Sequence, residues 1–116
     1  MEDDPTHIAA WEGDVETLRR LLASGESPDV IPDNYLDRTP LHCLCLRNSG
    51  GDRAACFELL RDAGANLEAS DSIGYTALHC AVCGGSVVLL SLLIQSGVEV
   101  DATCNSGATA LHIATR

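Results

Sequence analysis

Four histidines and six cysteines stand in a chain of 116 residues, and one histidine runs straight into a cysteine pair in His79-Cys80-Ala81-Val82-Cys83. Such a cluster is the raw material of two chemistries: thiolates and imidazoles bind zinc, and a thiol of depressed pKa exchanges disulfides. On a helix, Cys80 and Cys83 share a face and could meet one ion. Two ligands fall short of the four that structural zinc takes, no second pair stands at finger spacing, and His79 lies about 100° from Cys80 by helical phase. Redox exchange favours a thiol at a helix N-terminus or beside cations, whereas Cys83 falls at a helix end. A Ser/His/Asp or Cys/His arrangement can be drawn from these residues, yet nothing supplies a nucleophile elbow or an oxyanion pocket. The glycines form no phosphate loop of either common pattern. No catalytic residue, metal ligand or cofactor is therefore expected.

The histidines make better sense as a periodic mark. They recur in one setting, Pro5-Thr6-His7-Ile8-Ala9-Ala10, Thr39-Pro40-Leu41-His42-Cys43-Leu44, Thr76-Ala77-Leu78-His79-Cys80-Ala81 and Thr109-Ala110-Leu111-His112-Ile113-Ala114, at intervals of 35, 37 and 33 residues. A feature returning at that period is a repeat unit. Cys80 fills the slot that Ile8, Cys43 and Ile113 fill elsewhere, which assigns the thiol to packing.

Each phrase predicts a helix start. Thr39, Thr76 and Thr109 are N-cap residues, Pro40 suits the first helical position, and Asp4-Pro5 plays the same part in the first unit. Leu41, Leu44 and Cys45, then Leu78, Ala81 and Val82, then Leu111, Ala114 and Thr115, fall on one core face. Gly13, Gly51 and Gly85 turn the chain into a second helix, carried by Val15, Leu18, Leu21 and Leu22, by Cys56, Leu59 and Leu60, and by Val88, Leu89, Leu92 and Leu93. Gly25, Gly64 and Gly97 end it with a left-handed residue. Asp- and Gly-containing turns, such as the one at 67–74, link the units.

Charge and composition bound the partners. Seventeen acidic residues against seven basic ones, all arginine, give a net charge of −10, which repels phosphate backbones and anionic lipid. Neither nucleic acid nor membrane is an expected partner. No apolar run approaches a membrane span, and Met1-Glu2-Asp3-Asp4 lacks a leader pattern, so a cytoplasmic or nuclear location with reduced thiols is expected.

These phrases resemble the ankyrin repeat, whose pattern is approximately D-x-x-G-x-T-P-L-H-x-A-A-x-x-G followed by an apolar helix ending L-L-x-x-G-A. Asp71 to His79 matches it with one departure, Ala77. The resemblance implies an all-α repeat fold, an α-solenoid of about three and a half helix-turn-helix units with projecting β-hairpin loops, as a single domain over 1–116 with units near 4–36, 37–73, 74–106 and a partial 107–116. It also implies that the repeated histidine bridges neighbouring units by bonding to backbone. Departures are local. Thr6 replaces the usual leucine, as suits a polar N-terminal capping unit. The first hairpin, around Pro28 to Asp37, is irregular, and an excess between His42 and Gly64 is placed in a lengthened loop over 47–52. The half unit leaves the second helix of the third unit partly uncovered, so the native protein is expected to continue beyond Arg116.

The resemblance further implies a non-enzymatic module that binds a protein or peptide in a concave groove. Positions four and five after each histidine, with the hairpin tips, would line it: Trp11, Glu12, Tyr35, Leu36, Arg38, Leu46, Arg47, Ser72, Ile73, Tyr75 and Cys83, followed by Asn105, Ser106 and Ala108. The one tryptophan and both tyrosines fall in this set, and such rings with arginine commonly anchor protein recognition. An alternative reading makes the array the targeting or substrate-recognition module of a larger enzyme or ubiquitin ligase. Asp14, Glu16, Glu58 and Asp62 read as a solvated outer face. Partner identity and oligomeric state stay open.

Overall fold

The computed structural model describes residues 4–29, 37–47 and 51–114. Seven helices follow in order: α1 (Pro5–Glu12), α2 (Val15–Ala23), α3 (Pro40–Cys45), α4 (Arg53–Asp62), α5 (Ala77–Gly84), α6 (Val87–Gln95) and α7 (Ala110–Ala114). Among the described residues every regular element is helical.

The predicted caps explain where the helices begin. Asp4 accepts from the amides of Thr6 and His7 at the start of α1, and Thr39 accepts from the His42 amide at the start of α3, with Pro40 at the first turn. Each second helix has its own N-cap acceptor, Asp14, Asp52 or Ser86. These acceptors satisfy amides that no preceding turn can reach. The glycines at the far ends, Gly25, Gly64 and Gly97, all have positive φ.

Two rows result. First helices pack on first helices, α1 on α3, α3 on α5 and α5 on α7, while α2 packs on α4 and α4 on α6. Leu18, Leu41, Leu44, Phe57, Leu60, Leu89 and Leu93 are sealed between the rows together with Cys45, Cys56 and Cys80. Burying each large aliphatic side chain stabilises the stack by about 2 kcal/mol. The two linking loops described in full double back as hairpins, closed by the Asp71 N–H on the Tyr75 carbonyl and the Cys104 N–H on the Ala108 carbonyl, both 2.9 Å, with a second backbone bond inside each turn, from Gly74 to Asp71 and from Gly107 to Cys104.

Two expectations are corrected. Thr6 is not a polar surface residue: it is buried in the α1 row. Leu111 and Ala114, both assigned to the core face, are exposed, Leu111 at 73%, because α7 is the last element described and none of the described residues packs over its outer side. Thr115 lies outside the described residues. Residues 46–52 separate α3 from α4, a longer interval than those after α1 and α5; residues 48–50 of the expected 47–52 loop lie outside the described residues, and its described end is tied back where Asp52 N–H meets the Gly13 carbonyl at 3.0 Å. Asp14, Glu16, Glu58 and Asp62 are all exposed on the second helices.

Candidate partner-binding groove

The histidines hold the rows together. Nε2–H of His7 donates to the Arg38 carbonyl at 2.7 Å, that of His42 to the Tyr75 carbonyl at 2.7 Å, and that of His79 to the Ala108 carbonyl at 3.0 Å. On the other side of the ring, Nδ1 of His42 accepts from the Thr39 amide at 3.1 Å, and Nδ1 of His79 from the Thr76 amide at 3.2 Å. One nitrogen must donate and the other accept, so these two rings are neutral Nε2–H tautomers. Burial lowers the pKa of His42 below 6.5, against the opposing pull of its bond to Tyr75.

His42, Asp71 and Cys80 form a buried group whose ligand atoms lie within 4.8 Å of one another. Its chemistry is already committed. Both nitrogens of His42 are bonded as described, Oδ1 of Asp71 accepts from the amides of Ile73 and Tyr75 at 3.0 and 2.8 Å, and Oδ2 faces Arg38 Nε at 3.4 Å. An ion would have to displace the bonds that shape the hairpin and join two units. Cys83 and His79 take no part in this group.

All six cysteines are free thiols. Burial pushes Cys43 and Cys56 up to about 11 and Cys45 to about 12, and raises Cys80 as well. These are packing groups at neutral pH, since the thiolate is the reactive form. Cys83 is exposed.

Between α1 and α3 lies a groove of about 470 Å³ lined by His7, Ile8, Trp11, Glu12, Arg38, Cys43 and Leu46. Trp11 and Ile8 are 43% and 39% exposed, and the guanidinium of Arg47 sits 5.6 Å from the Trp11 ring centroid. The structure thus gathers Trp11, Glu12, Arg38, Leu46 and Arg47 in one place. Ile8 and Cys43 complete the floor. They follow the histidine directly, a slot that the sequence assigns to packing, and the pattern holds no mark of their reaching this surface.

The other candidates stand apart from that groove. Tyr75 is half-buried, its ring stacked on His79 at 5.2 Å between centroids. Ser72 and Ile73 are exposed at a hairpin tip, but their carbonyls accept from Asn105 Nδ2 and Asn105 N–H, each at 3.0 Å. Cys83 is exposed on α5, Asn105 and Ser106 are exposed, and Ala108 is buried. Tyr35 and Leu36 lie outside the described residues.

A family model described as ankyrin repeats in three copies matches residues 44–116, and one described as ankyrin repeats in many copies matches residues 6–57. The chain belongs to the ankyrin repeat family. Similar relatives include inversin of Danio rerio, 36% identical over 89 residues that cover 77% of this chain and 8% of that protein. Alpha-latrotoxin-Lg1a of Latrodectus geometricus is 34% identical over 92 residues, 79% of this chain and 6% of that protein. Ankyrin repeat domain-containing protein 37 of Bos taurus is 36% identical over 84 residues, 72% of this chain and 49% of that protein. The chain therefore spans less than a tenth of inversin and of the latrotoxin. Ankyrin repeats are in general protein-interaction modules and typically non-enzymatic. No helix among the described residues of this ankyrin array is long and apolar enough to cross a membrane.

Proposed function

We propose that this ankyrin array binds a protein segment in the groove between α1 and α3, with Trp11 as the anchor. The observation that carries the reading is a large indole left 43% exposed beside Ile8 and Leu46. A ring held on a prestacked pair of helices loses little conformational entropy when a guest covers it. Arg38, Arg47 and Glu12 supply a polar rim to an apolar floor, the arrangement of a protein-recognition patch. Unpaired thiols and a net charge of −10 fit a reducing cytoplasmic or nuclear setting and a partner that is neither nucleic acid nor membrane.

Peptides selected from a random displayed library against the immobilised chain test this directly. Selected peptides are expected to shift the NMR signals of α1 and α3 and to bind Trp11→Ala about tenfold or more weakly. Peptides that perturb only α2, α4 and α6, and bind Trp11→Ala as tightly as the parent, would refute the assignment.

A further inference from the structure

Arg53, the first residue of α4, is only 8% exposed. Its side chain reaches across two units. Nη1 donates to the Leu44 carbonyl at 3.0 Å and to the Ala10 carbonyl at 3.4 Å, and Nη2 donates to the Trp11 carbonyl at 2.6 Å. Those acceptors belong to the last turns of α3 and α1, where the helix dipole favours a cation and the helix itself supplies few donors, the Ala10 carbonyl also taking the Gly13 N–H at 3.2 Å. Arginine alone among the side chains offers a planar fork able to serve several such acceptors at once.

The surrounding backbone is pinned to the same spot. Asp52 N–H donates to the Gly13 carbonyl at 3.0 Å, and Gly51 adopts φ +66° where a Cβ would fall on the Gly13 backbone. The excursion after α3 thus begins at Arg47, whose guanidinium covers one face of Trp11, and ends on the turn that follows α1. Trp11 is held at its ring by Arg47 and at its backbone by Arg53.

We propose that Arg53 is a positioning residue of the groove, fixing the end of α1 against the end of α3 so that the Trp11 indole stands at a set angle between them. The inference rests on the groove reading for its purpose, but it concerns the conformation of the unliganded protein. In this arrangement residues 51–53 are a clasp: they carry a cation from the start of α4 to the C-terminal ends of two first helices and set their spacing.

Trp11 is the sole tryptophan, so its fluorescence reports this position without a label or a ligand. Acrylamide quenching is measured in the parent, Arg53→Met, Arg53→Lys and, as a control, Leu60→Ala, which loosens the core of the same pair of units without touching α1's carbonyls. In protein that retains its far-UV circular dichroism, the quenching constant should rise about twofold in Arg53→Met, rise less in Arg53→Lys, and stay at the parent value in Leu60→Ala. Equal quenching in folded Arg53→Met and parent overturns the proposal, as does an equal rise in Leu60→Ala. Loss of the folded spectrum in both Arg53 variants also overturns it, because Arg53 would then be required by the stack as a whole. Peptide binding that ignores Trp11 defeats the groove reading while leaving this result standing, so the two failures are distinguishable.

Discussion

The ring of His42 donates to the carbonyl of Tyr75 at 2.7 Å, linking residues 33 positions apart, and the same ring accepts from the Thr39 amide at its own helix start. One side chain thus caps a helix and clips the next hairpin beneath it. Removing it takes the ring acceptor from the buried Thr39 N–H and one of two donors from the Tyr75 carbonyl, which keeps the Asp71 N–H at 2.9 Å, and each lost buried hydrogen bond costs about 1 to 3 kcal/mol.

His42→Ala should therefore lower unfolding free energy by about 3 kcal/mol. His112→Ala, at an exposed position, should cost less than about 1 kcal/mol. Urea midpoints with unchanged m-values would check both. Equal losses at the two positions would contradict a bridging role.

Stability should fall with acid in a defined window. Burial holds the folded pKa of His42 below its ordinary 6.5, so the unfolded chain takes up the proton first. The contribution is full above 6.5 and is lost as the pH drops from there through the lowered folded value. His42→Gln should flatten the slope of stability between about pH 7 and 5. A variant whose stability declines as steeply as the parent's over that range would exclude His42 as the source.

Thiol reactivity should sort by position. Cys83 is exposed, whereas Cys45, Cys56 and Cys80 are wholly buried, with Cys45 and Cys56 raised to about 12 and about 11. Ellman's reagent at neutral pH should label Cys83 at once and those three only on unfolding. Bonding to the Ser106 hydroxyl lowers the pKa of Cys104, so Cys83→Ser should leave only the share of that thiol in the fast phase, and a fast phase that survives in the double variant Cys83→Ser, Cys104→Ser would show the packing to be looser than described.

Two aromatic substitutions should behave differently. Tyr75→Ala removes the stack on His79 and should cost about 1 to 2 kcal/mol of stability. Trp11→Ala should leave the melting temperature near the parent's while weakening a groove-bound peptide by about 1 to 3 kcal/mol. The reverse pattern would make Trp11 a structural ring and Tyr75 the recognition residue.

Gly51→Ala should destabilise by about 2 kcal/mol, since it meets both a left-handed backbone and the Gly13 carbonyl. Gly64→Ala, equally left-handed but facing open space, should cost about 1 kcal/mol. A denaturant titration giving the two the same loss would show that the loop does not press on the α1–α2 turn.

The repeat was legible in the sequence because its signals agree at every level: a cap, a helical apolar face and a terminal glycine recur in phase with the histidine. Trp11 and Leu46 could be placed by the same phase, four residues after their histidines. Arg53 could not. An arginine at a helix start reads as solvated, and only a loop longer than its counterparts brings the chain back far enough to bury it. Tyr75 illustrates a different gap, since hairpin position fixes where its Cα stands while the stack on His79 decides where its ring lies. Asp71 was readable as a turn residue, but its contact with Arg38 depends on how two units meet. Helical phase separates core from surface within a unit and carries little information about contacts across units.

Each buried imidazole finds its acceptor in the hairpin that follows, never in the one before. The array therefore has a polarity: deleting a unit orphans the ring upstream of the cut and leaves the one downstream intact. Damage should spread toward the N-terminus, and any chimera built from these modules keeps its joints only if every histidine is transplanted together with its successor's loop.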